Sequence, residues 1–328
     1  MMAPARTLVV TPYLGEFGWE LMNWQGRVRW CIRQGGHERV IICAPADRRR
    51  LYVDPADEPR VTFWPVSEFG LPGEASEDHR IDADGRRIDP TRLRQVALSA
   101  TGPACAALGV DASRAEFLVP EFRSRMWPTT TAHQRFGELR VPARVSTDVL
   151  LVPRIRRVAG ERNRPAAWWE ALAAALRERG LRVEAYSGPL DRAIELVSRA
   201  RIAVGASTGG LHLASLCRCP HYVWGCGREA RWTRMGITNR QRYETVWNPL
   251  GTRCHYDECG WQPPVEHVVS QTLCWLGRIG LPMGRSGPVR GLRPAWRLRR
   301  TLAGMLVGEG AGRFWPWRVR RLVREYVV

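Results

Sequence analysis

The sequence of 328 residues contains no lysine, so all 50 of its basic residues are arginine. That absence excludes a lysine Schiff base, a phosphate-loop lysine and a lysine general base. Arginine supplies instead a permanently charged, planar fork suited to paired contacts with phosphate or carboxylate. The formal charge of +18 calls for an acidic partner, and nucleotide phosphates, an anionic membrane and nucleic acid all fit. A GC-rich coding sequence gives the same arginine bias, so charge alone decides nothing.

Other features are missing too. No run of about 18 apolar residues exists, so no membrane span is expected. Met1 to Arg6 lead straight into a strand-like stretch without a secretory apolar region, which points to the cytoplasm. The arginines form no aromatic-interleaved RNA-binding pattern, and no nucleic-acid partner is expected. The nine cysteines make no regular framework. Cys217, Cys219, Cys226, Cys254 and Cys259 cluster, with His255 nearby, but only Cys254 with Cys259 comes close to a zinc knuckle. Buried free thiols in a reducing compartment are expected, and no metal site.

What the sequence does hold is alternation. Leu8-Val9-Val10 is a buried-strand pattern, followed by the turn Gly15-Glu16-Phe17-Gly18 and a helix over 19–34. Strands follow over 40–43 and 61–66, the second with Pro65 at its end or on an edge. Residues 67–94 read as an irregular loop, 95–108 as a helix interrupted by Gly102-Pro103, and 116–119 as a strand. A second start comes near Val141, with strands over 147–153, 181–186, 202–204 and 221–224 and helices over 166–178, 190–199 and 211–216. The fold class is therefore α/β, with two Rossmann-like domains over 1–143 and 144–279 and a hinge near Pro142. Residues 280–328 form an arginine- and tryptophan-rich helical tail, which either lies on an anionic membrane surface or packs back across the domains.

The segment Gly205-Ala206-Ser207-Thr208-Gly209-Gly210-Leu211-His212 joins a strand to a helix. A helix N-terminus carries unpaired N–H groups and partial positive charge, which a phosphate satisfies. Gly209 and Gly210 would let a ligand approach the backbone, and Ser207 and Thr208 would cap the helix or donate to phosphate. Arg154, Arg156 and Arg157 follow the preceding strand pattern of the same domain and would reach the same sheet edge as a diphosphate clamp. The alternative is an ordinary capped helix. His212 either adds a proton or charge to the ligand or is simply packed.

These residues, Ser207 to Ser215 with Pro220 and the apolar strand before Gly225, resemble the donor-site segment of bacterial heptosyltransferase-type glycosyltransferases. Val149 to Pro153 with Arg154, Asn163 and Pro165, together with Trp247-Asn248-Pro249 and Pro263 to Val268, are similar to other parts of that donor domain. The resemblance covers roughly residues 149–276. It implies a GT-B-like fold, two Rossmann-like domains with parallel sheets facing across a cleft, the nucleotide sugar on the C-terminal domain and the acceptor on the N-terminal one. It implies no cofactor beyond the donor substrate and no obligatory metal. The first-loop aspartate and the donor-domain lysine of that family have no counterpart here.

Inverting transfer needs a carboxylate base, for which Glu16 is the first candidate and Glu20, one helical turn on, the second. Gly15, Phe17, Gly18 and Trp19 are candidate acceptor or sugar contacts, while tryptophans beside a new helix are also common in a core. The expected function is a glycosyltransferase of cell-surface glycan or glycolipid synthesis, cytoplasmic or peripheral at the inner membrane face. The alternatives are a fucosyltransferase-like or pyruvyl-transferring enzyme, an inactive transferase, or a non-catalytic arginine-rich nucleic-acid or membrane binder.

Overall fold

The structure is a computed structural model that describes residues 6–34, 36–54, 59–67, 69, 88–120, 134–156, 160–229 and 236–280. Arg157 and the expected tail beyond Gly280 lie outside the described residues. Two parallel sheets organise the chain. The first takes strands β1 (Thr7–Val10), β2 (Arg39–Ala44), β3 (Val61–Pro65) and β4 (Glu116–Leu118) in the order β3-β2-β1-β4. The second takes β5 (Thr147–Val152), β6 (Val183–Ala185), β7 (Ala200–Ala206), β8 (His221–Trp224) and β9 (Cys254–Asp257) in the order β6-β5-β7-β8-β9. All pairings are parallel, with Val9 opposite Ile41 and Val149 opposite Ile202. Helices cover both faces, which is why β1 and β5 read as continuous apolar runs rather than alternating ones.

Strand order reverses once in each sheet, between β1 and β4 and between β5 and β7. Open parallel sheets collect ligands outside the carboxyl ends of the strands at such reversals. The loops leaving β1, β5 and β7 therefore occupy the positions where a site belongs. The two halves also share buried apolar packing, in which Trp19 and Leu21 from the first join Leu211 and Trp247 from the second. The connecting segment is tied to both halves: Arg135 N–H donates to the Gly26 carbonyl at 2.9 Å, and Leu139 N–H to the Leu216 carbonyl at 2.9 Å.

Several local expectations change. The helix expected from residue 95 begins at Pro90, where Asp89 caps it by accepting from the Thr91 N–H and Pro90 supplies a preset first-turn φ. The loop expected over 67–94 thus gives way to helix at the Asp-Pro-Thr cap signal of 89–91, while residues 68 and 70–87 of it lie outside the described residues. Neither β9 nor the helix Val265–Gly280 was anticipated; β9 is short and at the sheet edge, and its Cys-His-Tyr-Asp composition has no apolar alternation. The nine cysteines are free, as expected, but only Cys43, Cys105, Cys217 and Cys219 are buried.

Candidate functional site

The site forms where the loops after β1, β5 and β7 converge. After β5, Arg154 is buried and donates from Nη1 to Asn163 Oδ1 at 2.5 Å. Asn163 in turn donates from Nδ2 to the Arg156 carbonyl at 2.6 Å, so one amide braces both arginines. Burial pushes the Arg154 guanidinium below its ordinary pKa, and the neighbouring charges of Arg156 and Arg162 push the same way. Glu16 and Glu161 oppose that shift, so the guanidiniums gathered here already have carboxylate neighbours.

After β7 the glycines have a different use from the one expected. Gly205 lies within β7, and a Cβ there would stand 2.6 Å from the Val152 carbonyl oxygen. Gly210 would place a Cβ 2.7 Å from Val152 Cγ1, and Gly209 would place one 3.1 Å from Phe17 Cδ1 and 3.3 Å from the Gly18 nitrogen. Their missing side chains thus admit strand β5 and the first half of the chain. The turn proper reduces to Ser207 and Thr208. Thr208 is the N-cap residue of the helix Gly209–Leu216, but its side chain makes no capping hydrogen bond. The Ser207 hydroxyl accepts from Arg242 Nη2 and, at 2.9 Å, from the Tyr243 hydroxyl.

His212 is buried in the junction between the halves. It stacks on Tyr243 with ring centroids 4.4 Å apart and meets Trp247 edge-on. Burial, reinforced by the Arg242 charge, pushes its pKa well below the ordinary 6.5, so it is neutral near pH 7. The packed reading describes its surroundings, and a proton held ready for a ligand does not.

From the first half, Glu16 opens the helix that runs through Phe17–Trp19, a π-helical turn at Glu20–Trp24, and Gln25–Gln34. Its carboxylate accepts from Arg156 Nη1 at 2.7 Å, joining the reversal points of the two sheets. Gly15 fits against Tyr13, whose ring and hydroxyl leave no room for a Cβ there. Phe17 lies under the Arg48 guanidinium at 4.7 Å. Gly18 backs onto His212, and Trp19 packs edge-on against Trp247 with centroids 5.0 Å apart. Trp19 therefore holds the halves together from within the core.

Glu20 occupies a different environment from Glu16. It is only 4% exposed, accepts from the Tyr52 hydroxyl, and accepts from Arg48 Nε at 3.2 Å. Burial raises its pKa despite the opposing Arg48 charge. The structure thus brings Glu16, Arg156, Arg154, Ser207 and Thr208 toward one edge and assigns Glu20, Trp19, Gly205 and His212 to packing around it. Sequence reasoning missed Arg242, Tyr243, Arg48 and Tyr52. In a chain with 50 arginines nothing marks Arg242 or Arg48, because only tertiary contact distinguishes them.

No family model matches the chain, and no curated protein matches it. Among solved structures it is similar to the iron-containing dodecameric glycosyltransferase TibC of enterotoxigenic E. coli H10407, at 14% identity over 85% of this chain and 78% of that one, TM-score 0.43. It is also similar to E. coli ADP-heptose LPS heptosyltransferase II, at 13% identity over 83% and 99% of the two chains, TM-score 0.42. A glycosyl transferase family 9 protein from Veillonella parvula DSM 2008 gives 10% identity over 85% and 99%, TM-score 0.45. Likeness at this level assigns neither family nor activity to the chain.

Proposed function

We propose that this protein is a glycosyltransferase that moves a sugar from a nucleoside-diphosphate donor to an acceptor hydroxyl, with inversion and without a metal at the phosphates. The observation that supports this reading most directly is the contact between Glu16 and Arg156 at 2.7 Å. It joins a carboxylate from one sheet's reversal point to a guanidinium from the other's. Transfer needs both groups, one to activate the acceptor and one to hold the leaving group.

In the reaction, the Glu16 carboxylate takes the acceptor hydroxyl proton as the acceptor oxygen bonds to the anomeric carbon. The bond from that carbon to the diphosphate oxygen breaks, and its electron pair leaves on the phosphate. Arg156 and Arg154 balance the charge that develops there, with Ser207, Thr208 and Arg242 as further donors. Before the donor arrives, Arg156 is paired with Glu16, so the diphosphate competes for Arg156 and its binding releases the base. Gly15, before Glu16, and Phe17 and Gly18, in the helix that Glu16 opens, belong to the acceptor side. A cell-surface glycan or glycolipid acceptor fits the arginine- and tryptophan-rich composition of residues 280–328.

Saturation-transfer NMR with UDP, GDP and ADP tests this reading. One nucleotide is expected to bind, and Arg156→Ala is expected to weaken it. Binding of none of the three, with steeply salt-dependent binding of RNA instead, would sink the transferase reading in favour of a non-catalytic nucleic-acid binder.

A further inference from the structure

Glycosyl transfer uses nothing from the far edge of the second sheet, yet three ligand-type side chains converge there. Asp257 ends β9, Cys259 follows two residues later, and His267 sits in the first turn of the helix Val265–Gly280. Their oxygen, sulfur and nitrogen donor atoms all lie within 4.8 Å of one another. His267 Nε2 is 2.7 Å from Asp257 Oδ2, and the Tyr222 hydroxyl donates to that same oxygen at 2.8 Å. Tyr222 is a fully buried residue of β8, so the carboxylate is aimed from the core. No metal site is expected from the sequence, and Cys254, whose spacing to Cys259 comes nearest to a zinc knuckle, is not in the group that converges.

A thiolate, an imidazole and a carboxylate at this spacing suit a borderline-soft divalent cation better than Mg²⁺ or Ca²⁺, which prefer all-oxygen shells. Cys226, on the loop after β8, is near enough to interact electrostatically with Cys259 but is not part of the mutual 4.8 Å group. That leaves one tetrahedral position to water. We propose that Asp257, Cys259 and His267 bind one Zn²⁺-class ion that fastens the loop after β9 to the final helix. Binding replaces the hydrogen bonds of Asp257 with His267 and with the Cys259 thiol by bonds to the ion, and the Cys259 proton passes to solvent as the thiolate forms. With Nε2 on the ion, the imidazole carries its N–H at Nδ1.

The same loop supports the arginine segment after β5. Trp261 lies under the Arg162 guanidinium at 4.5 Å. Gln262 Nε2 donates to the Glu161 carbonyl at 3.2 Å, and Arg164 Nη2 to the Pro263 carbonyl at 3.2 Å. An ion at Asp257, Cys259 and His267 therefore steadies the segment that carries Arg154 and Arg156, in the manner of a structural staple. The site itself stands whether or not the chain transfers sugars.

The test is to strip the full chain with a chelator and titrate it with Co²⁺ alone. The expected result is one ion per chain and a near-ultraviolet thiolate-to-cobalt absorption. Cys259→Ser should abolish that band, and His267→Ala should weaken Co²⁺ binding by about tenfold or more. Cys274→Ser, at another exposed cysteine, should change neither. Because Cys259 is exposed, far-ultraviolet circular dichroism of its stripped variant should match the stripped parent. A parent protein without the band, or a band that survives Cys259→Ser, would overturn the site.

Discussion

Replacing Glu16 with glutamine keeps the side chain's shape and removes its charge, which separates two roles that the carboxylate holds in the proposed reaction. The Glu16–Arg156 pair is partly buried, with side-chain exposures of 28% and 17%. Two unit charges about 4 Å apart attract by ~4 kcal/mol at an effective dielectric near 20 and by ~1 kcal/mol in water. Exposed pairs contribute only ~0.2–1 kcal/mol. A donor that must break this partly buried pair therefore gives up about 1–2 kcal/mol of its binding energy. Glu16→Gln should bind the nucleoside diphosphate about five- to thirtyfold more tightly. Its turnover should fall by about 10²–10⁴, because the acceptor hydroxyl has lost its base. Arg156→Gln should instead weaken nucleotide binding. The two halves of one ion pair would then move affinity in opposite directions, which a merely structural bridge would not do. Calorimetric titration at low and physiological salt, beside a nucleotide-release assay, reads both quantities. Unchanged or weaker nucleotide binding in Glu16→Gln refutes the competition, and unchanged turnover removes Glu16 from the chemistry.

Three further outcomes follow from the geometry. Gly205→Ala would force a Cβ to 2.6 Å from the Val152 carbonyl oxygen, so β5 and β7 must separate. The expected loss is ~1–3 kcal/mol of stability, and an unchanged urea midpoint would contradict it. Burial pushes the His221 pKa down to about 4 and the His212 pKa well below the ordinary 6.5. As pH falls through about 6.5 the unfolded chain gains these protons while the folded chain does not, so stability should fall toward pH 4. His212→Phe, which keeps a ring against Tyr243, should flatten that decline, and a slope equal to the parent's would refute the assignment. Removing residues 281–328 should abolish sedimentation with anionic vesicles at low salt and leave neutral vesicles unaffected; equal binding with and without the segment would dismiss the membrane reading.

Much of the scaffold was legible in the sequence because burial in a parallel sheet writes itself locally. Leu8-Val9-Val10 and Val149-Leu150-Leu151-Val152 are apolar on both faces, and the helix over 190–199 and the strand over 221–224 fall where their periodicity puts them. The loops after β1, β5 and β7 could be named as ligand positions on topology alone. With no lysine in the chain, any basic contact to phosphate had to come from arginine or histidine. Those conclusions depend on residue type and on periods of two and about 3.6 residues, which a single segment carries by itself.

The tertiary structure decided how the loops use their residues. Glu16 and Glu20 are one helical turn apart and look interchangeable in sequence. Packing leaves Glu16 at the junction with Arg156 and buries Glu20 against Tyr52 and Arg48. Gly209 reads as room for a ligand, yet its space is filled by Phe17 and Gly18, from the other half of the chain. A glycine records only that a side chain is missing, and what occupies the gap depends on segments far away in sequence. Likewise Arg242 is set apart by tertiary contacts, its hydrogen bond to Ser207 and its place over the Tyr243 and Trp247 rings. Local periodicity set which faces are buried, and the packing of sequence-distant surfaces set which charged groups meet.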